Sequence, residues 1–323
     1  MNFDLVKKNS AYKRFLSDVK SGKLSHAYIV FSEDDELREA FYKLAAISVF
    51  CKNACGECKT CQSILNDDYV EILKVNAQDK FGVRDMEDLN EKIMNNPVVG
   101  TRKMVVIDHA EKMSPIVQNK FLKTYEEPPE YLTVILMAAT EGGLLGTIKS
   151  RGKKFYLDLL SAEDIRKELV EEGVDEQTAA VSASFALGNY TKALRYSVED
   201  GYRKQYDRTF KVMCALKKSS QIPEFVGDEI FSKDNILLTL DFMEIILSDV
   251  MKLVTNAQVP LYNVDREYDL SEIKQGYLPE SVSNALALVN EARIQLNANV
   301  SAYNVTGTLL FGILEAKYKW QKK

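Results

Sequence analysis

Short, almost wholly apolar runs alternate with helix-period segments over the first 160 residues. That alternation limits the folds open to this chain more than any other feature. Ala27–Phe31 (AYIVF), residues 104–107 (MVVI) and residues 132–137 (LTVILM) lack the polar alternation of a strand with one wet face. Runs of this length and composition are strands buried on both faces, and parallel neighbours require a crossover helix between them. Residues 70–75 (VEILKV) and 154–157 (KFYL) read as two further strands. The crossovers are visible at helical spacing. Residues 33–50 place Leu37, Phe41, Leu44, Ala45 and Val49 on one face, and residues 83–94 form a second helix. A third starts at Ser114-Pro115, with Ser as N-cap and Pro in the first helical position, and ends before Pro128-Pro129.

Beyond about residue 160 the strand signal fades. Residues 161–194 read as short helices, opened by Ser161 with Asp164 three positions on and broken at Gly173 and Gly188. From about residue 202 the period is helical almost throughout. One apolar stripe runs through Phe242, Ile245, Ile246, Val250 and Leu253, another through Leu286, Val289, Ile294 and Leu296. The expected organisation is an α/β domain (1–160), a small helical domain (161–205) and a larger helical domain (206–323). No stretch reaches the roughly 20 apolar residues that span a bilayer. The opening MNFDLVKKNS lacks the apolar core of a signal peptide, so no membrane association and a cytoplasmic location are expected. A net charge of −5 gives the chain alone no electrostatic case for tight duplex binding.

The junction after the first strand reads F-S-E-D-D-E-L-R-E-A, with four consecutive acids, Glu33 to Glu36. Locally this is a helix start: Ser32 is the expected cap, and the acids complement the positive end of the helix dipole. A phosphate loop, G-x-x-x-x-G-K-[ST], needs glycines so that backbone can wrap phosphates and a lysine to neutralise them. Laid on this junction, its first Gly falls on Glu33, its second on Arg38, its Lys on Glu39 and its Ser/Thr on Ala40. The acids at close range repel a triphosphate, and the site reads as dead. The strand K-M-V-V-I-D delivers Asp108 to its end, as strands that help hold a magnesium-nucleotide do, but His109 stands where a water-polarising Glu belongs. Asp108 is therefore expected to cap the loop or helix after its strand.

SHAYIVF (25–31), the segment 103–140 with its NKFLKTYEEPPE (119–130), and GTIKSRG (146–152) resemble the bacterial DNA polymerase III clamp-loader subunits of the AAA+ superfamily. The family's corresponding motif is N-A-L-L-K-T-L-E-E-P-P-E. The resemblance continues weakly at NANVSAYNVTGTLLFGILE (297–315). It implies an AAA+-type α/β domain, a helical lid and a C-terminal helical collar. Among these subunits, the missing phosphate-loop chemistry points to the delta-prime type rather than the ATP-hydrolysing gamma/tau type. It implies no nucleotide of its own, gamma/tau and delta subunits as partners, and contact with the sliding clamp and primer-template DNA through the complex. The family's sensor arginine in the second domain aligns near Thr191.

T-I-K-S-R-G (147–152) is similar to the family's Ser-Arg-Cys motif, whose arginine enters the ATP site of the neighbouring subunit. A planar, permanently charged fork suits γ-phosphate oxygens. Arg151 is the candidate finger and Ser150 the residue that positions its turn, with Gly152 in place of the usual Cys. His26 matches a family position near the nucleotide base and here is expected to pack or hydrogen-bond. The helix over 83–94 often carries a DNA-facing arginine in the family; Glu87 aligns there, with Arg84 nearby.

Cys51, Cys55, Cys58 and Cys61 form C-x3-C-x2-C-x2-C. In a reducing compartment such a cluster suggests metal ligation, and four closely spaced thiolates suit a closed, structural zinc site. Clamp-loader subunits carry a comparable zinc-binding insertion after the first helix. An iron–sulfur cluster and reduced thiols without metal remain as alternatives. Two rival functions also stand beside the main reading: a diverged gamma/tau-like ATPase and a zinc-dependent nucleic-acid-binding protein.

Overall fold

The computed structural model describes residues 3–319. Its first half is laid out as helix α1 (Phe3–Lys8), α2 (Ser10–Lys20), strand β1 (Ala27–Phe31), α3 (Asp35–Phe50), α4 (Lys59–Leu65), β2 (Ile72–Asn76), α5 (Val83–Met94), β3 (Lys103–Asp108), α6 (Pro115–Glu126), β4 (Leu132–Ala138), α7 (Gly146–Lys149) and β5 (Lys153–Tyr156). The five strands form one sheet in the order β2-β3-β4-β1-β5, and every neighbouring pair is parallel.

Period-two alternation sends successive strand residues to opposite faces, and both faces are dry. Tyr28, Val30, Met104, Val106, Ile135 and Met137 pack with residues of α1 to α4. Ile29, Phe31, Val105, Ile107, Val134 and Leu136 pack with α5, α6 and α7. The result is a three-layer α/β/α sandwich, in line with the apolar strand runs. The N-terminus of α3 differs from the sequence expectation. Asp34, not Ser32, is the N-cap and accepts from the Leu37 N–H, while Ser32 Oγ accepts from the Asp34 N–H at 3.1 Å. The turn between strand and helix is two residues longer than a cap at Ser32 would give.

Contacts divide the chain into two compact units. One runs to Asp164 and takes in Gly188–Thr191; the other comprises Ile165–Leu187 and the chain from Lys192 onward. The remaining helices are α8 (Ala162–Glu171), α9 (Glu176–Phe185), α10 (Tyr190–Val198), α11 (Asp200–Ala215), α12 (Ile222–Val226), α13 (Ile236–Val254), α14 (Glu267–Lys274), α15 (Pro279–Asn297) and α16 (Ala302–Lys319). The second unit is helical, and its core gathers Phe185, Tyr202, Tyr206, Phe210 and Phe242 in mutual edge and stacked contacts. The stripe on α13 is buried as its period implies. On α15, Val289 is buried but Ile294 is 60% exposed, a departure from the expected stripe. No helix of the described residues is long and apolar enough to cross a membrane.

Candidate functional site

The C-terminal edge of a parallel sheet is where open α/β folds place ligands, above the first turn of a helix whose free amides attract anions. Here that corner is filled from within the chain. Arg38, one turn into α3, is fully buried. Its Nη1 donates to the Ser32 carbonyl at 2.5 Å, Nη2 to Asp35 Oδ1 at 2.6 Å, and Nε to Asp108 Oδ1 at 3.0 Å, while Nη2 also lies 3.3 Å from His109 Nε2. A guanidinium thus sits among the acids that close the ends of β1 and β3. Asp108, expected to cap the segment after its strand, instead pairs with Arg38 and accepts from the His109 N–H at 2.9 Å. His109 adopts a left-handed backbone, φ 50°, which brings its ring back over the cluster.

The amides at the start of α3 are also occupied. Thr191 Oγ1 accepts from the Glu36 N–H at 3.0 Å and donates to Asp34 Oδ1 at 2.7 Å. Asp34 Oδ2 accepts from the Tyr190 N–H, and Asn189 Nδ2 donates to the Glu33 carbonyl at 3.2 Å. Burial pushes the Asp34 carboxyl upward, against the opposing pull of the hydrogen bonds it accepts from Thr191, Leu37 and Tyr190. Gly188, just before this segment, lies close against residues 159 and 160: its φ is +84°, and a Cβ there would lie 2.8 Å from both Leu159 Cβ and the Leu160 carbonyl. Of the other phosphate-loop positions, Glu33 is exposed, Glu39 pairs with Lys74 at 2.8 Å, and Ala40 is buried in the core.

Arg151 lies elsewhere. It immediately precedes β5, whose Lys153 is paired with Tyr28 of β1, so it stands level with the entrance to β1. The filled corner begins at Ser32, six residues further along; at about 3.3 Å per residue the separation is roughly 20 Å. Arg151 and its own chain's corner therefore occupy opposite edges of one sheet. Arg151 Nη1 donates to the Thr147 carbonyl at 2.9 Å, and Nη2 is 2.9 Å from Glu126 Oε1 on α6. Ser150 closes α7, with Oγ donating to the Thr147 carbonyl at 3.1 Å. The preceding loop is held by Gln118, fully buried on α6. Its amide nitrogen donates to the carbonyls of Met113 and Gly143, and its oxygen accepts from the Leu145 N–H.

The four cysteines converge between α3 and α4. Cys51 caps the end of α3, Cys58 precedes α4, Cys61 lies on its first turn, and Cys55 sits in the connecting turn, where Gly56 takes φ +76°. Neighbouring sulfurs are separated by 3.8 Å (51–55), 3.8 Å (51–58), 4.0 Å (55–61) and 3.6 Å (58–61), and all four lie within 4.8 Å of one another. A tetrahedral ion with metal–sulfur bonds of about 2.3 Å holds its sulfurs about 3.8 Å apart. The donor set therefore fits a single metal ion. Backbone N–H groups, led by that of Cys55, lower the Cys51 thiol to about 6, while burial raises Cys61 to about 12. His26 is exposed, its ring edge-on to Tyr125 at 6.3 Å, and Glu87 pairs with Lys120 at 2.8 Å.

Sequence reasoning missed the roles of Asp34, Arg38 and Glu126. An arginine inside a run of acids at a strand-to-helix junction was the available signal for the first two. Glu126 carried none, because its partner is distant along the chain.

This strand order, with a turn-to-helix junction closing β1 and an acid closing β3, makes a parallel, open α/β module followed by helices. The family described as DNA polymerase III, delta subunit, matches residues 7–161. The delta' subunit of Bacillus subtilis is 23% identical over 314 residues, covering 94% of this chain and 95% of that protein. The Haemophilus influenzae delta' subunit is 25% identical over 253 residues, 75% of each chain. The gamma/tau subunit of Mycoplasma pneumoniae is 27% identical over 177 residues, 54% of this chain, which spans only 26% of that longer protein. The chain is therefore similar to bacterial DNA polymerase III clamp-loader subunits, and to those of the delta' type along most of its length.

Proposed function

We propose that the chain is a non-ATP-binding delta-prime subunit, which supplies Arg151 to the ATP site of a neighbouring gamma/tau subunit while the complex loads the sliding clamp onto primed DNA. One observation carries the reading. The corner a nucleotide would use is occupied by Arg38, Asp34 and Thr191, while Arg151 stands at the opposite edge of the same sheet, out of reach of that corner. A guanidinium presented in trans stabilises the charge developing on the transferred phosphoryl group and needs no nucleotide on its own subunit. Ser150 shapes the turn that carries it.

Cys51, Cys55, Cys58 and Cys61 hold a structural zinc ion in this reading. Four thiolates leave no open coordination position, and their spacing suits one ion better than a multi-iron cluster, which would hold its thiolates further apart. Residues 161–205 act as the lid and 206–323 as the collar that packs with gamma/tau and delta. Location in the cytoplasm and access to clamp and DNA follow from membership of that complex.

The test is to reconstitute the complex with gamma/tau and delta and compare clamp- and DNA-stimulated ATPase for wild type and Arg151→Ala. Normal assembly with a reduced rate is expected. A mutant complex that assembles and turns over like wild type would show the finger assignment to be wrong.

A further inference from the structure

The geometry points to two consecutive residues near the end of α6, Tyr125 and Glu126, as the seat that aims Arg151; the functional part of this inference rests on the finger reading. Glu126 Oε1 takes the Nη2 end of the Arg151 fork at 2.9 Å, and the Thr147 carbonyl takes the Nη1 end at 2.9 Å, so both terminal nitrogens are directed. Tyr125 acts on the next residue. It is fully buried, and its hydroxyl has no hydrogen-bond partner among the described residues. That hydroxyl occupies the space beside Gly152. A Cβ at position 152 would lie 2.6 Å and 2.8 Å from Ile29 Cγ1 and Cδ1, and closer still to the Tyr125 oxygen.

Gly152 is therefore required by volume rather than by backbone angle, since its φ is not in the left-handed region. A tyrosine at 125 and a side chain at 152 exclude each other. The backbone that carries Arg151 is pressed against the α6 side of the sheet by this fit, while the guanidinium is fixed by the adjacent carboxylate. Glu126 is a positioning residue: it touches the finger and no reacting atom.

Two measurements test the seat. In the reconstituted complex, Glu126→Ala is expected to lower the stimulated kcat by about tenfold, the order of loss a misaimed group produces, with KM for ATP and complex assembly unchanged. Glu126→Gln, which keeps an acceptor but not the charge, should recover part of the rate. In the isolated chain, Gly152→Ala is expected to lower Tm by about 5 °C through overpacking, and Tyr125→Leu combined with Gly152→Ala should cost less than the sum of the two single changes. A wild-type kcat for Glu126→Ala, its failure to assemble, or additive Tm changes at 125 and 152 would each overturn the seat. If Arg151→Ala is itself silent, the finger reading fails and the aiming role fails with it. If Arg151→Ala is damaging and Glu126→Ala is silent, only the seat fails.

Discussion

Arg38 and Asp34 show how single residues replace a ligand. A buried guanidinium with no exchangeable counter-ion must be matched from the chain itself, and Asp35, Asp108 and the Ser32 carbonyl do so. Removing the cation leaves Asp108, itself mostly buried, without its partner. Arg38→Met is therefore expected to destabilise the fold by about 3 kcal/mol in urea titrations, toward the low end for a broken buried pair because Asp35 can turn to solvent. Asp34 holds the first turn of α3 and the Gly188–Thr191 segment together. Asp34→Ala should cost about 1–2 kcal/mol, the range of a lost N-cap, and should raise hydrogen exchange at the Leu37 and Thr191 amides. Unchanged exchange at both amides would contradict this account of the segment. Local residue types announced the acids and the arginine, but not their pairing, because Asp108 is 70 positions from Arg38.

Helix ends and strand runs were the most legible elements. The α6 start at Ser114-Pro115, its stop before Pro128 and the bounds of α5 follow from capping chemistry and period, which are local. Less legible was α15, whose Ile294 departs from its stripe because burial there depends on which helices arrive to cover it. The cysteine turn joins two elements, with thiols at the end of α3 and the start of α4. Cys58→Ser is expected to reduce bound zinc from about one ion per chain to well below one, measured by metal analysis of the purified protein. Chelation should loosen residues 51–65 in hydrogen exchange while β1, β3 and β4, which keep their own buried faces, stay protected. Equal loosening across the sheet would mean that the metal supports the whole domain rather than this turn.

For the whole molecule, two edges of one sheet are built differently: a self-filled corner after β1 and β3, and an arginine before β5. The isolated chain is expected to retain no nucleotide in equilibrium dialysis with magnesium and ATP at millimolar concentration, since binding would have to expel a buried guanidinium and the Thr191 hydroxyl together. Retention of nucleotide would overturn the filled-corner account. Alternation of apolar strands and helical periods was enough to dictate a parallel sheet covered on both faces, and four cysteines in eleven residues were enough to bring four thiols together, because both depend on neighbours along the chain. Tertiary structure alone decided which charge fills the corner, which carboxylate steadies Arg151 and why residue 152 has no side chain. Those contacts join segments tens of residues apart, and no local period or propensity encodes which distant atoms will meet once the sheet has closed.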